Sequence, residues 1–66
     1  MKYTMIRHKN RMLIVQSDEK QWFMDHMFAD GVIMMEGTKA ELERIFGIII
    51  DEQHVNRIPE KYRDDK

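Results

Sequence analysis

The side chains of this chain that could do chemistry are hydroxyl groups, histidines and carboxylates, and their spacing shows whether catalysis is supported. The chain has 66 residues and no cysteine, so a nucleophile would have to be a hydroxyl group beside a base. The candidates are Ser17, Thr4, Thr38, Tyr3 and Tyr62. Ser17 and Thr38 are each placed to cap a helix, and the GxSxG pattern of a nucleophile elbow is absent. The sequence therefore predicts a protein that is not an enzyme.

The soft metal ligands of the sequence are three histidines, His8, His26 and His54. They fall in a predicted turn, a predicted helix and the C-terminal part of the chain. Asp51 and Glu52 precede His54, but no further ligand joins them in the sequence. We expect three exposed histidines, no metal site and no cofactor.

The segment 36–39, Glu-Gly-Thr-Lys, places a hydroxyl and an amine where a predicted strand meets the start of a helix. Backbone N–H groups at such a position can hold an anion. The glycine spacing of a phosphate-binding loop is absent, however. The segment is therefore interpreted as an ordinary capped helix start, and no small-molecule substrate is evident.

Basic residues at the tip of a predicted hairpin indicate an alternative function, nucleic-acid binding. Arg7, Lys9 and Arg11 lie there within five positions of one another, and a basic β-ribbon can contact phosphates in a groove. Against this alternative, the net charge of the chain is -1, and no aromatic residue alternates with the basic ones. Nucleic-acid-binding domains usually carry a basic charge balance. The alternative stays open, behind protein binding.

The length of the chain predicts a single small domain that needs help to stay folded. A chain of this size buries only about 60% of the surface that its unfolded state exposes. Disulfides are excluded by the lack of cysteine, so oligomerisation is the natural source of further stability. The lack of cysteine also fits a reducing compartment. No run approaches the ~20 apolar residues of a membrane span, and no signal-peptide pattern is present, so we expect a soluble, cytoplasmic protein without a membrane partner.

Apolar runs and helix-capping residues predict the order β-β-α-β-α-β. A hairpin is expected from residues 2–7 and 11–16, followed by a helix from Ser17 to about Ala29 that ends at a left-handed Gly31. A strand is expected over Val32 to Glu36. A second helix is expected over Lys39 to Phe46, with a Thr38–Glu41 capping box at its start and Gly47 at its end, and a last strand over Ile48 to Asp51. Strand–helix–strand connections imply parallel strands. The predicted fold class is α/β, with α+β as the alternative.

The predicted architecture is a mixed four-stranded sheet with three parallel strands, the first strand being antiparallel to the second. Residues 1–58 form the domain, and residues 59–66 form a polar tail in which Pro59 to Tyr62 can make one helical turn. We expect disorder from Arg63 to Lys66.

Three apolar runs suggest that one sheet face is covered by another molecule. The runs are 12–15, 32–35 and 48–50, and each is apolar on both faces, which requires cover on both sides of the sheet. The two short helices offer only one apolar stripe each. We therefore predict a protein-interaction module of the inhibitor, adaptor or regulatory-subunit type, which is a homodimer or binds another protein. The predicted contact residues on the sheet are Leu13, Val15, Ile33, Met35 and Ile49.

Trp22 is a second predicted anchor. It lies on the polar side of the first helix, with Asp25 and His26, and tryptophan is enriched among interface hot spots. In the alternative interpretation, the C-terminal tail folds over Trp22 through Ile58 or Tyr62.

Overall fold

The computed structural model of the chain describes residues 1–63. Disorder was expected from Arg63 to Lys66; residue 63 is the last residue of a short helix, and residues 64–66 lie outside the described part of the chain. The elements are strand β1 (Lys2–His8), strand β2 (Arg11–Gln16), a 3₁₀ turn (Ser17–Glu19), helix α1 (Lys20–His26), strand β3 (Val32–Thr38), helix α2 (Lys39–Phe46), a second 3₁₀ turn (Glu52–His54) and the short helix α3 (Glu60–Arg63).

The sheet has three strands in the order β2-β1-β3, and β1 is antiparallel to both neighbours. The prediction of helices combined with a sheet is confirmed, but the predicted mixed four-stranded sheet is wrong. Strands β2 and β3 do run in the same direction, as their connection through α1 requires. Because β1 lies between them, every pair of neighbouring strands is antiparallel, and the architecture is α+β in character.

The predicted strand over 48–51 does not form in the structure. Ile50 is buried beside Leu42 and Val55, and its backbone N–H donates a hydrogen bond of 2.8 Å to the Glu43 carboxylate. The apolar run therefore packs onto a face of the sheet. A fourth strand would have to join an outer edge, where Ile50 would lose this buried position.

Strand β1 is buried on both faces and separates two cores. On the α2 side, Tyr3 and Met5 pack with Ile14, Leu42, Ile50 and Val55. On the α1 side, Ile6 packs with Val15, Phe23 and Phe28. The chain thus covers the centre of both faces of the sheet itself.

The hairpin prediction is confirmed. Strands β1 and β2 pair from Tyr3 with Gln16 to His8 with Arg11. Lys9 and Asn10 connect them with φ angles of 51° and 67°, and a two-residue turn with both φ values positive matches the twist of the strands.

The ends of the helices follow the sequence in part. Thr38 and Glu41 form the predicted capping box, and Gly47 ends α2 with a φ of 66°. The first helix differs, because the Ser17 hydroxyl bonds to the Thr4 hydroxyl at 2.7 Å instead of capping the helix, and α1 ends at His26.

Gly31 is not in the left-handed conformation that the sequence predicts. A Cβ at this position would lie 2.9 Å from Ile6 Cγ2 and 3.0 Å from the Phe28 carbonyl oxygen. The glycine thus permits a close approach of this loop to the central strand.

Candidate protein-interaction surface

One edge of the sheet is apolar and open within residues 1–63. Strand β3 is an edge strand, and no other strand of the described residues pairs with its outer side. Val32, Ile33 and Met34 are 59%, 43% and 45% exposed; we call these three residues the β3 edge surface. An edge strand presents unpaired N–H and C=O groups, so this surface combines apolar side chains with main-chain hydrogen-bonding groups.

The opposite edge of the sheet is partly covered by the chain itself. The Asn56 backbone N–H donates to the Ile14 carbonyl oxygen at 2.8 Å, and its side-chain amide donates to the same oxygen at 3.2 Å. Val15 and Asn56 form a parallel bridge there. The two edges are therefore different in kind.

Glu36, the charged residue of β3, forms an ion pair with Lys20 on the α1 side of the sheet. The Glu36 carboxylate accepts hydrogen bonds from the Lys20 ammonium at 2.8 Å and from the Thr4 hydroxyl at 3.2 Å. Donation by Lys20, helped by the Ser17 hydroxyl, lowers the pKa of Glu36 from 4.5 to about 2. Charged side chains are a common protection of an exposed edge, and Glu36 is already paired.

A register shift places Ile33 and Met35 on opposite faces. Ile33 pairs with Ile6 and Met35 pairs with Met5, so Met34 is an extra residue. Such a bulge changes the face that the following residues occupy. Ile33 belongs to the β3 edge surface, whereas Met35 is half-buried against the α2-side core. Ile33 and Met35, both predicted as contact residues, therefore lie on different faces of the sheet.

The remaining predicted contact residues of the sheet are separated in the structure. Val15 is fully buried in the α1-side core, so its prediction as a contact residue is wrong. Leu13 is half-buried against the same core. Ile49 is 85% exposed and lies beside a cleft of about 370 Å³ whose other lining residues include Met12, Ile48 and His54.

The sequence prediction missed Val32 and Met34. Both occupy positions that strict strand alternation assigns to the face opposite Ile33. The apolar run 32–35 was the signal that marked them, but neither the bulge nor the edge position of β3 can be read from the run alone.

Trp22 is half-buried in an aromatic group. Its ring stacks on His26 with centroids 4.5 Å apart, meets Phe23 edge-on at 5.1 Å and lies 5.5 Å from Tyr62. Asp25 is exposed and accepts a hydrogen bond from the Gln21 amide. The C-terminal segment therefore reaches Trp22 through Tyr62, as the alternative interpretation of this residue expected.

The basic residues of the hairpin do not form one patch. Arg7 pairs with Met12, and Arg11 pairs with His8. Because neighbouring residues of a strand point to opposite faces, Arg7 lies on the α2 side and Arg11 on the α1 side. Lys9 lies in the turn between the strands. This separation weakens the case for a phosphate-binding ribbon.

Four of the five candidate nucleophiles make structural hydrogen bonds. Tyr3 donates to Glu52, Thr4 bonds to Ser17, and Thr38 accepts from the N–H of Glu41. Within residues 1–63, no three histidines or carboxylates come together to form a metal site. In the same range, no helix has the length and apolar character needed to span a bilayer.

Comparison of the chain with protein-family models, with curated proteins and with solved structures finds no match. The assignment of function therefore depends on the physical features of the chain.

Proposed function

We propose that this chain is a small, non-enzymatic protein-interaction module of the inhibitor, adaptor or regulatory-subunit type, which binds its partner through the β3 edge surface. The observation that carries the proposal is that β3 has three exposed apolar residues in succession and that its outer side pairs with no other strand of the described residues. Such an edge can accept an extended segment of another protein as an additional strand.

The contrast between the two edges supports β3 as the binding edge. Natural proteins protect sheet edges with charged residues, proline, bulges or covering segments. Asn56 covers part of β2, while β3 has the bulge at Met34 and a carboxylate that is already paired. An edge that keeps exposed apolar residues with so little protection is typical of a binding surface.

The energetics favour strand addition over simple apolar contact. Burying a Val, Ile or Met side chain completely contributes about 1.5–3 kcal/mol, so three half-exposed side chains contribute roughly 2–4 kcal/mol. Association costs about 4–15 kcal/mol. The side chains alone therefore do not suffice, and hydrogen bonds along the edge must contribute, at about 0.5–1.5 kcal/mol each.

Site-specific photocrosslinking in cells that produce the protein tests this proposal. A photoreactive amino acid at position 34 is expected to give a covalent product with a protein, and this product is expected to be lost in the Val32→Lys background. The same amino acid at position 44, which is exposed on α2, is the matched control. Equal labelling from both positions, or no product at position 34, would overturn the proposal.

A further inference from the structure

We infer that the cleft beside strand β2 binds a small carboxylic acid with an apolar chain, whose carboxylate accepts hydrogen bonds from Arg7 and His54. The cleft lies on the α2 side of the sheet, between β2 and the segment that follows α2. Strand β2 forms the sheet edge opposite β3. The inference therefore goes beyond the proposed function and does not depend on it.

The cleft has the size and the lining of a site for a small apolar ligand. Its volume is about 370 Å³, at the lower end of the range of about 300–1,000 Å³ that is typical of small-molecule sites. Its buried lining residues belong to the α2-side core and are Met5, Ile14 and Ile50. Its exposed apolar lining residues are Met12, Ile48 and Ile49. An apolar chain in the cleft therefore contacts core side chains below it and exposed apolar side chains beside it.

The polar lining residues of the cleft are His54 and Asn56. The side-chain amide of Asn56 already donates a hydrogen bond to the Ile14 carbonyl oxygen. Within residues 1–63, the imidazole ring of His54 makes no hydrogen bond and no ring contact. An imidazole carries at least one N–H donor at neutral pH. His54 can therefore donate a hydrogen bond to a ligand in the cleft.

The pairing of the hairpin places Arg7 beside the same cleft. Arg7 lies opposite Met12 in the β1–β2 pair, and directly opposite residues share a face, with Cβ atoms about 4.5–5.5 Å apart. Arg7 forms no ion pair within residues 1–63. A guanidinium group can bind a carboxylate through two parallel hydrogen bonds. The cleft thus combines an apolar lining with a cation that has no carboxylate partner in the described chain.

The carboxylates next to the cleft already have partners within the chain. Glu52 accepts a hydrogen bond of 2.6 Å from the Tyr3 phenol and lies 3.9 Å from the Arg57 guanidinium. Asp51 accepts a hydrogen bond of 3.0 Å from the Gln53 backbone N–H. The charge that remains to be balanced at the cleft is therefore positive, which favours an anionic ligand over a neutral or cationic one.

NMR titration of the isotope-labelled protein with sodium octanoate tests the site. Saturable shifts are expected for the methyl groups of Met12, Ile48 and Ile49, while those of Val32 and Ile33 on the β3 edge surface stay unchanged. Octanoate has two more CH₂ groups than hexanoate, so it is expected to bind roughly 10–15-fold more tightly. Shifts that do not saturate, or equal shifts at the cleft and at the β3 edge surface, would overturn the inference.

Octanol and two arginine variants test the role of the charge. Octanol has the same chain without the carboxylate and is expected to bind about threefold more weakly than octanoate. Arg7→Gln is expected to weaken octanoate binding by about the same factor and to leave octanol binding unchanged. Arg11→Gln is the matched control, because it removes one positive charge from the same hairpin on the other face. Equal binding of octanol and octanoate, or equal losses in the two variants, would overturn the assignment of a carboxylate ligand.

Discussion

The phenol of Tyr3 donates a hydrogen bond of 2.6 Å to the Glu52 carboxylate, which ties the central strand to the segment that follows α2. Tyr3 is 4% exposed, so its hydroxyl needs this acceptor. The bond to Glu52, together with burial, raises the pKa of Tyr3 above its usual value of 10. With the burial of Ile50 and Val55, it fixes a segment that has no sheet pairing beyond the single bridge at Asn56.

The Tyr3→Phe variant is expected to lower the free energy of unfolding by about 1–2 kcal/mol at neutral pH, because it removes one hydrogen bond to a charged acceptor. Urea denaturation measures this change. Tyr62→Phe is the control for the loss of a phenol at an exposed position. Equal stability of Tyr3→Phe and the wild type would show that the bond to Glu52 makes no net contribution.

The same pair predicts a loss of stability in alkali. The folded chain holds the pKa of Tyr3 above the unfolded value of 10, so the folded state favours the protonated phenol. This contribution is complete below pH 10 and is lost as the pH rises through the folded pKa. Unfolding measured above pH 10 should thus show a smaller pH dependence in Tyr3→Phe than in the wild type.

Glu36 predicts the opposite dependence in acid. Its pKa is about 2 in the folded chain, against the ordinary value of 4.5 for this carboxyl group, chiefly because of the hydrogen bond from Lys20. Its contribution to stability is therefore present above pH 4.5 and is lost as the pH falls towards 2. Between pH 4.5 and pH 2, the stability of Glu36→Gln is therefore expected to fall less than that of the wild type. Urea denaturation at several pH values measures this difference. Asp30→Asn, which removes one negative charge just before β3, should keep the decline of the wild type.

Two glycines are expected to respond differently to alanine. At Gly31, a Cβ would lie 3.0 Å and 3.3 Å from the carbonyl oxygens of Phe28 and Arg7, so Gly31→Ala forces backbone movement and should cost about 1–3 kcal/mol. At Gly47, a Cβ would have nothing within 4 Å, and Gly47→Ala should cost about 1 kcal/mol through its positive φ alone. Thermal and urea denaturation give the order, and a larger cost at Gly47 would contradict it.

Local signals in the sequence predicted the parts of the fold that depend on neighbouring residues. The hairpin follows from the turn at Lys9 and Asn10, and α2 follows from the capping box of Thr38 and the stop at Gly47. Ser17 carries the same kind of helix-start signal as Thr38. Its hydroxyl bonds to Thr4 instead, and a partner thirteen residues away leaves no mark in the local pattern.

The sheet order and the proposed binding surface depend on contacts between residues that are far apart in the sequence. An apolar run such as 48–50 can form a strand or pack as a covering segment, and the burial of Ile50 decides between these outcomes. The bulge at Met34 likewise depends on which residues of β1 stand opposite. The sequence therefore indicated an apolar excess, and the fold placed part of it, Val32, Ile33 and Met34, at the outer edge of β3.

Trp22 is expected to contribute mainly to the fold. Its ring contacts Phe23, His26 and Tyr62, so Trp22→Ala should lower the free energy of unfolding by about 1–3 kcal/mol, less than the 3–5 kcal/mol typical of a fully buried tryptophan. Trp22→Phe should keep most of this stability. The fluorescence of this single tryptophan also shows whether Tyr62 shields the indole ring from water. Tyr62→Ala should shift the emission to longer wavelength as water reaches the ring. Unchanged fluorescence in Tyr62→Ala, with full stability in Trp22→Ala, would instead favour Trp22 as an exposed anchor.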